Sequence, residues 1–184
     1  MININNKSNI NTDKIIQVIS LLPEEYTDLD VEVRIYGTRW SLLKTILNKK
    51  ESSIGIIDFF ALLKIGTLGG YSGEETNKIE LYPFSLPKSE KDNVIQNLVF
   101  TIFHEIRHKY QSHYMREFYK KEEMRYKELR AMKKTKDEIN NYLNLSLEKD
   151  ADEFAFKFYI DNQDKIDKIF EINYEYSIDP IRKI

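Results

Sequence analysis

The sequence predicts an α+β fold, because extended segments are confined to the first half of the chain and the second half has a helical pattern. The chain has 184 residues, which is enough for one domain with a proper core. We therefore expect a single domain over residues 1–184. Residues 1–88 form its α/β half, with a short, mostly antiparallel sheet, and residues 89–184 form its helical half.

The first half of the chain alternates between helical and extended patterns. A helix is expected from Thr12, a candidate N-cap, and before Pro23 its apolar positions recur at helical spacing: Ile15, Ile16, Ile19 and Leu22. The stretch "DLDVEVRIYG" alternates apolar and charged residues up to Gly37, which is typical of a half-buried strand. "TRWSLLKTILNKK" returns to helical periodicity, whereas residues 54–65 are apolar and fit either helix or strand.

The next stretch, "GTLGGYSGEETNKIELYPFSLP", contains two short extended runs around a polar turn and therefore predicts a hairpin. Its second run, "KIELYPF", is accompanied by Pro83 and Pro87. Because proline cannot donate a hydrogen bond to a neighbouring strand, the second run is expected to be an edge strand.

From Ser89 onward the pattern is helical. Ser89 is a candidate cap, and an apolar stripe follows at helical spacing: Val94, Ile95, Leu98, Val99, Ile102 and Ile106. Helix is expected to continue through the polar stretch "REFYKKEEMRYKELRAMKK" and to break near "NNYLNLS". A last long helix is then expected over roughly residues 147–172.

The composition excludes several classes of protein. Apolar residues make up 41% of the chain, which argues against disorder, and the net charge of only -2 gives no overall attraction to nucleic acid or membranes. Cysteine is absent, so any metal must be held by histidines and carboxylates. The polar N-terminus lacks the apolar core of a signal peptide, and no apolar stretch is long enough to span a bilayer. We expect a cytoplasmic protein without a membrane or nucleic-acid partner.

The stretch "HEIRH" carries two of the three histidines of the chain. His104 and His108 are four residues apart on the predicted helix, a spacing that brings both imidazoles to one face, where one metal ion can contact both. Glu105 is the neighbour of the first histidine and points aside from the pair, so that it can accept a proton from a metal-bound water. The alternative is a chance pattern on a solvated helix.

A tetrahedral site with two histidines needs a third protein ligand. His113 is out of phase with the pair, and the metzincin pattern, which needs Gly at 111 and His at 114, meets Gln111 and Tyr114 here, so we reject His113 as the ligand. Glu148 and Asp152, four residues apart on the last helix, offer a carboxylate ligand and an acceptor for the outer N–H of a ligating histidine. The alternative is that the acidic residues there only favour a helix N-terminus capped by Ser146, next to an apolar face formed by Ala151, Phe154, Ala155 and Phe158.

The two motifs together resemble the gluzincin arrangement, HExxH with a downstream ExxxD. More narrowly, "EKDADEFA" is similar to the second motif of ImmA/IrrE-type metallopeptidases, E-x-x-A-[ND]-x-F-A. The resemblance implies a small zincin-like domain in which His104, His108 and Glu148 bind Zn²⁺. It also implies that Glu105 is the general base and Asp152 a supporting partner, and that an edge strand near "NKIELYPF" holds extended substrate.

The chain departs from this pattern in two places. Arg107 stands where the family commonly has glycine before the second histidine, and the 31 residues from 116 to 146 form a longer and more basic connection than a compact member needs. "HEIRHKYQ" is also similar to other small zincins, including SprT-like proteins, which use a different third ligand.

The resemblance implies zinc-dependent hydrolysis of a peptide bond. It also implies a substrate, a regulatory partner protein such as a transcriptional regulator, and this expectation rests on the resemblance alone. The oxyanion donor is left open among Tyr110, His113, Tyr114 and Tyr142. Two alternative functions stay open. The first is a zincin-fold regulatory binding protein without turnover, which the intact Glu105 argues against, and the second is a helical interaction module without metal.

Residues 116–136 hold nine Lys/Arg and four Glu, which favours a solvated helical face over a binding surface. The oligomeric state is not predicted.

Overall fold

The computed structural model describes residues 1–48, 59, 69–71, 77–86, 93–131 and 145–172. Four strands form one sheet: β1 (Ile2–Lys7), β2 (Val31–Tyr36), β3 (Gly69–Tyr71) and β4 (Lys78–Leu81). Their order across the sheet is β1-β2-β4-β3. β2 pairs in parallel with β1 and with β4, whereas β3 pairs antiparallel with β4. The prediction of a mixed helix and strand fold is confirmed.

The prediction of a mostly antiparallel sheet is wrong, because two of the three strand pairings are parallel. One of these parallel pairings joins β2 to β4, and the other involves β1, a strand that the sequence pattern did not predict. Its apolar signal consists of Ile2 and Ile4 alone, which pack against the core, while asparagines alternate with them. Ile2 lies opposite Val31 and Lys7 opposite Tyr36, so the polar N-terminal segment completes the sheet on one side.

The predicted hairpin is confirmed, but its edge strand is the other one. Gly69 lies opposite Leu81 and Tyr71 opposite Ile79 in the antiparallel pairing of β3 with β4. β4 also pairs with β2, so it is an interior strand and β3 forms the edge. Pro83 does not disturb the sheet, because it lies after the last paired residue and begins a short 3₁₀ helix, Pro83–Ser85. Pro87 lies outside the described residues.

The described residues of the first half include the helices α1 (Thr12–Ile19), α2 (Glu24–Thr27) and α3 (Arg39–Leu47). Asn11, rather than the predicted Thr12, caps α1, since its side chain accepts from the backbone N–H groups at 13 and 14. Of the apolar positions predicted for this segment, Ile16 is half exposed and the others are buried. Thr38 caps α3 through a reciprocal pair of hydrogen bonds with Ser41. Of the ambiguous residues 54–65, the structure describes only Phe59, which is buried.

In the second half, the part of the chain that the structure describes forms α4 (Val94–Tyr114), α5 (Arg116–Ala131), α6 (Ser146–Asp161) and α7 (Gln163–Phe170). The last long helix predicted over residues 147–172 is in fact two, separated at Asn162, whose side chain donates to the carbonyl of Phe158 at 3.0 Å. The predicted cap Ser89 and the predicted break at 140–144 lie outside the described residues. No helix in the described part of the chain has the length and apolarity that crossing a bilayer requires.

The main core lies between one face of the sheet and helices α1, α4, α6 and α7. α4 contributes its apolar stripe, and β2 and β4 contribute the inward-facing residues of the sheet, all fully or almost fully buried: Leu98, Val99, Ile102, Phe103, Ile106, Val31, Val33, Ile35, Ile79 and Leu81. Replacing one of these large aliphatic residues by alanine costs about 2–5 kcal/mol. The burial of this stripe fixes the rotation of α4 about its axis, and therefore the direction in which "HEIRH" points.

The opposite face of the sheet carries a buried polar group. The carboxylate of Glu80 accepts hydrogen bonds from the hydroxyls of Tyr36 and Tyr82, each at 3.2 Å. Burial and the Glu80 charge raise the pKa of Tyr36 to about 12. Gly37 follows β2 at a point where a Cβ atom would stand 2.6 Å from the Cα of Ser8, so only glycine fits there.

Candidate metal site

The two histidines of "HEIRH" lie on one face of α4, as their spacing predicts. Their Nε2 atoms are 3.0 Å apart, and the two rings stand nearly perpendicular. The side chain of His104 keeps 14% of its surface exposed and that of His108 keeps 11%. Both histidine side chains are therefore mostly buried but still accessible to a small ligand.

Glu148 comes to the same point from α6. Its Oε2 lies 3.5 Å from His104 Nε2 and its Oε1 lies 3.5 Å from His108 Nε2. α6 approaches α4 through the fully buried Ala151 and Ala155, whose short side chains leave room for close packing. The predicted third ligand and the two histidines thus form one three-residue group.

The distances within this group fit a metal ion. A tetrahedral ion at about 2.0–2.2 Å from nitrogen and oxygen ligands separates those atoms by about 3.3–3.6 Å. The two separations between Glu148 and the histidines, 3.5 Å each, lie within that range, and the separation of the two Nε2 atoms, 3.0 Å, lies below it. His104, His108 and Glu148 can therefore hold a metal ion together. Two imidazoles and one carboxylate suit Zn²⁺, and they also suit other divalent ions of the first transition row.

An oxygen atom lies close to the outer nitrogen of each histidine, and at His108 the contact has hydrogen-bond geometry. His104 Nδ1 lies 2.8 Å from Oδ1 of Asp152, the residue predicted for this role. His108 Nδ1 lies 2.8 Å from Oε1 of Gln111, a fully buried residue one turn further along α4. Acceptors on both Nδ1 atoms turn both Nε2 atoms toward Glu148, which is the arrangement common among metal-binding histidines.

A chain of contacts behind Gln111 was not predicted from the sequence. The amide nitrogen of Gln111 donates to the carbonyl of Leu147 at 3.0 Å and to Oδ2 of Asp150 at 2.7 Å. Asp150 also accepts from Arg107 at 2.7 and 3.0 Å. The available sequence signals were the position of Gln111 three residues after His108 and the basic residue between the histidines, but neither names a partner on the distant helix.

Arg107 lies in an aromatic setting in addition to its contact with Asp150. Its guanidinium lies 4.8 Å from the ring centre of Tyr110 and 5.2 Å from that of Phe154, and it donates to the hydroxyl of Tyr26. Tyr26 stacks on both rings, with centroids 4.6 and 4.9 Å apart. Arg107, which stands where the family commonly has glycine, thus connects α2, α4 and α6.

The charges around the group favour a cation at its centre. Burial by itself lowers the pKa of His104, but the neighbouring carboxylates outweigh it and raise that pKa to about 10; they belong to Asp152, Glu148 and Glu105. Burial tends to raise the pKa of Glu148, whereas its contacts with the two histidines hold that pKa far below its usual range. In the metal-free protein a proton on His104 therefore balances Glu148, at the position where a metal ion would stand.

Glu105 borders the group on α4, since it follows His104 directly and precedes His108 by three residues. Its side chain is buried, with 7% of the residue exposed. Its charge raises the pKa values of His104 and of Tyr82, so it lies close enough to both to interact electrostatically. The predicted general base is therefore a buried carboxylate next to the two histidines of the candidate site.

Three of the four predicted oxyanion donors, Tyr110, His113 and Tyr114, lie within the described residues. Tyr110 is stacked against Tyr26, on the side of α4 that carries Arg107. His113 and Tyr114 are exposed and pack against each other, with ring centroids 4.6 Å apart. Tyr142 lies outside the described residues. None of the three described side chains has a contact with the metal group, so the oxyanion donor stays a prediction.

Comparison of the chain with protein families, with curated proteins and with solved structures gave no match. The resemblance to gluzincins therefore rests on the two motifs, and the arrangement of the site rests on the contacts described above.

Proposed function

We propose that this protein is a zinc-dependent metallopeptidase of the gluzincin type, most similar to the ImmA/IrrE family. The observation that carries the proposal is the meeting of His104, His108 and Glu148 at one point, with the buried Glu105 beside them. The motifs supply the residues in the order that such enzymes use, and the fold supplies a shared position for them. A site built only for structure would have a fourth protein ligand, whereas the described residues supply three and so leave one coordination position for a reacting molecule.

Each residue has a separate part in the proposed reaction. The zinc ion, when bound, supplies Lewis acidity to a water molecule and to the scissile carbonyl. Glu105 accepts a proton from that water and returns it to the leaving amine, which its burial beside the histidines supports. Asp152 holds the proton of His104 on Nδ1 and thereby keeps Nε2 free.

The substrate that fits this arrangement is an extended segment of a protein or peptide. β3 is the edge strand of the sheet and lies against α4, so its outer side offers backbone groups to an added strand. The strand proposed to hold substrate is therefore Gly69–Tyr71, in place of "NKIELYPF". A regulatory protein in the cytoplasm is the substrate class that the resemblance favours.

Metal analysis and one substitution test the proposal. Purified protein should contain about one zinc per chain, and His104→Ala or Glu148→Ala should remove it. Glu105→Gln should bind zinc as the unchanged protein does but lose cleavage of a library of proteome-derived peptides, read out by mass spectrometry. Glu117→Gln, which changes an exposed glutamate of α5, is the matched control and should keep full activity.

Two outcomes would contradict the proposal. Protein purified without chelators that neither contains nor takes up zinc would exclude the metal site. Zinc binding together with identical biological activity in Glu105→Gln would instead favour the alternative function, a binding protein that keeps the site without turnover.

A further inference from the structure

We propose that Gln111 is the positioning residue that makes His108 a metal ligand and ties it to the start of the helix that carries Glu148. This inference rests on the metal site of the proposed function, but it concerns metal binding and does not require peptide cleavage. The resemblance to gluzincins assigns no role to this position.

The orientation of the Gln111 side chain follows from its surroundings. Its Nε2 has two acceptors, the carbonyl oxygen of Leu147 at 3.0 Å and Oδ2 of Asp150 at 2.7 Å. Neither acceptor carries a hydrogen that it could donate to an amide oxygen. If the amide were reversed, its oxygen would lie against these two oxygens without a hydrogen bond. Oε1 therefore must point toward His108.

This orientation decides which nitrogen of His108 carries hydrogen. Because Gln111 Oε1 can only accept, His108 Nδ1, 2.8 Å away, must be the donor. In the neutral ring that leaves the lone pair on Nε2, the atom that faces His104 Nε2 and Glu148. Gln111 thus does for His108 what Asp152 does for His104, with an uncharged side chain that is fully buried.

The same side chain also fixes the distance to the third ligand. Leu147, whose carbonyl accepts from Gln111, directly precedes Glu148 in the first turn of α6. Asp150, the other acceptor, is held in turn by Arg107 on α4. Gln111 is therefore bonded at one end to a histidine and at the other to the segment that carries the carboxylate ligand, so its loss would loosen both.

Gln111→Met tests this inference, since methionine has a similar length and no hydrogen-bonding amide. Zinc affinity, measured by competition with a chelator, should fall about 10–100-fold, the usual effect of losing the outer partner of a metal-binding histidine. Gln96→Met is the matched control, because Gln96 is a buried glutamine of the same helix outside the metal group. It should leave zinc affinity unchanged.

A spectroscopic measurement separates positioning from general loss of structure. In protein loaded with Co²⁺, each ligating histidine should give one strongly shifted, exchangeable Nδ1–H proton signal. Gln111→Met should lose the His108 signal to exchange with water and keep the His104 signal. Circular dichroism of Gln111→Met should match that of the unchanged protein, so that the loss of the signal is a local effect.

Equal zinc affinity in Gln111→Met and in unchanged protein, or retention of both proton signals, would overturn the inference while leaving the proposed function intact. Absence of zinc binding in the unchanged protein would overturn both. If Gln111→Met does not fold, the unchanged Co²⁺-loaded protein decides: a His108 Nδ1–H signal that exchanges slowly with water supports the positioning role, and a signal lost to fast exchange while that of His104 persists contradicts it.

Discussion

Arg107 and Asp150 form a two-point ion pair between the helices that carry the metal ligands, with Nε to Oδ2 at 2.7 Å and Nη2 to Oδ1 at 3.0 Å. Arg107 lies directly before His108, and Asp150 lies two residues after Glu148. Paired bonds between a guanidinium and a carboxylate fix direction as well as distance. The pair therefore holds α4 and α6 in the relative position that brings the three ligands together.

Removing this pair should destabilise the protein. We expect Arg107→Ala to lower the free energy of unfolding by about 2 kcal/mol, in the range for hydrogen bonds to charged groups, because Asp150 and Tyr26 lose a partner. The side chains are 17% and 37% exposed, so solvent screening keeps the loss below that of a fully buried pair. Urea unfolding of the single variants and of Arg107→Ala/Asp150→Ala gives the coupling energy. Arg39→Ala, at an exposed arginine of α3, is the control, and a coupling near zero would contradict the role of the pair.

Zinc should stabilise the folded protein by binding to it in preference to the unfolded chain. At a zinc concentration 1,000 times the Kd, the expected gain is about 4 kcal/mol, or roughly 8–16 °C in Tm for a protein of this size. His108→Ala should remove the response to zinc, whereas His113→Ala, outside the metal group, should keep it. Thermal unfolding with added zinc and with a chelator measures this, and equal Tm values for the unchanged protein in both would exclude the site.

Zinc binding should release a proton at neutral pH. His104 has its pKa raised to about 10 in the metal-free protein, so at pH 7 to 9 it holds a proton that zinc must displace. Below pH 10 the apparent zinc affinity should therefore rise by about tenfold per pH unit. Calorimetry in buffers of different ionisation enthalpy counts the released protons. Asp152→Asn, which removes one of the carboxylates that raise the pKa, should release fewer, and a pH-independent affinity would contradict the expectation.

The raised pKa of His104 also determines how the stability of the metal-free protein changes with pH. A pKa raised on folding contributes stability that is complete below the unfolded value, about 6.5 for histidine, and is lost as the pH rises through about 10. The lowered pKa of Glu148 contributes stability above the unfolded value, about 4.5, that is lost on acidification. From the contributions of His104 and Glu148, the metal-free protein should thus be most stable between about pH 4.5 and 6.5.

The centre of the site could be predicted from the sequence because local periodicity determines most of it. The apolar stripe of α4 sets which face is buried, and a four-residue spacing then places His104 and His108 together whatever the rest of the fold does. Glu148 and Asp152 followed from the same spacing on a second helix, together with the resemblance to a known motif. In the structure, Glu148 and Asp152 contact the histidines as expected.

Features that depend on contacts between distant segments could not be predicted in the same way. Arg107 and Asp150 are 43 positions apart, and Gln111 and Leu147 are 36 apart, so nothing local relates them. β1 was not predicted because it contributes only Ile2 and Ile4 to the core and so has almost no apolar pattern of its own. Its strand conformation depends on its pairing with β2. The parallel pairing of β2 with β4 could not be predicted either, because it joins segments that are distant in the chain, with Glu32 opposite Lys78.

Glu122 of the basic helix α5 should support the helix that carries Glu148. Its buried carboxylate accepts from the backbone N–H of Ser146 at 3.2 Å, at the start of α6, where Leu145 provides no side-chain cap. An acceptor there satisfies one of the free N–H groups, and its negative charge is favourable near a helix N-terminus. Glu122→Ala should therefore lower the free energy of unfolding by about 1 kcal/mol, as loss of an N-cap does.

Hydrogen exchange around residue 146 measures the local effect, which should be faster exchange in Glu122→Ala. Zinc affinity should fall as well, because Glu148 lies in the first turn of the loosened helix. Glu122→Gln keeps an acceptor oxygen and should lose only part of the stability, while Glu117→Ala, at an exposed position of α5, should change neither property. If Glu122→Ala and Glu117→Ala behave alike, α5 does not position the third ligand, and its role must then be sought in its exposed basic side chains, which include Lys120, Lys121 and Arg125.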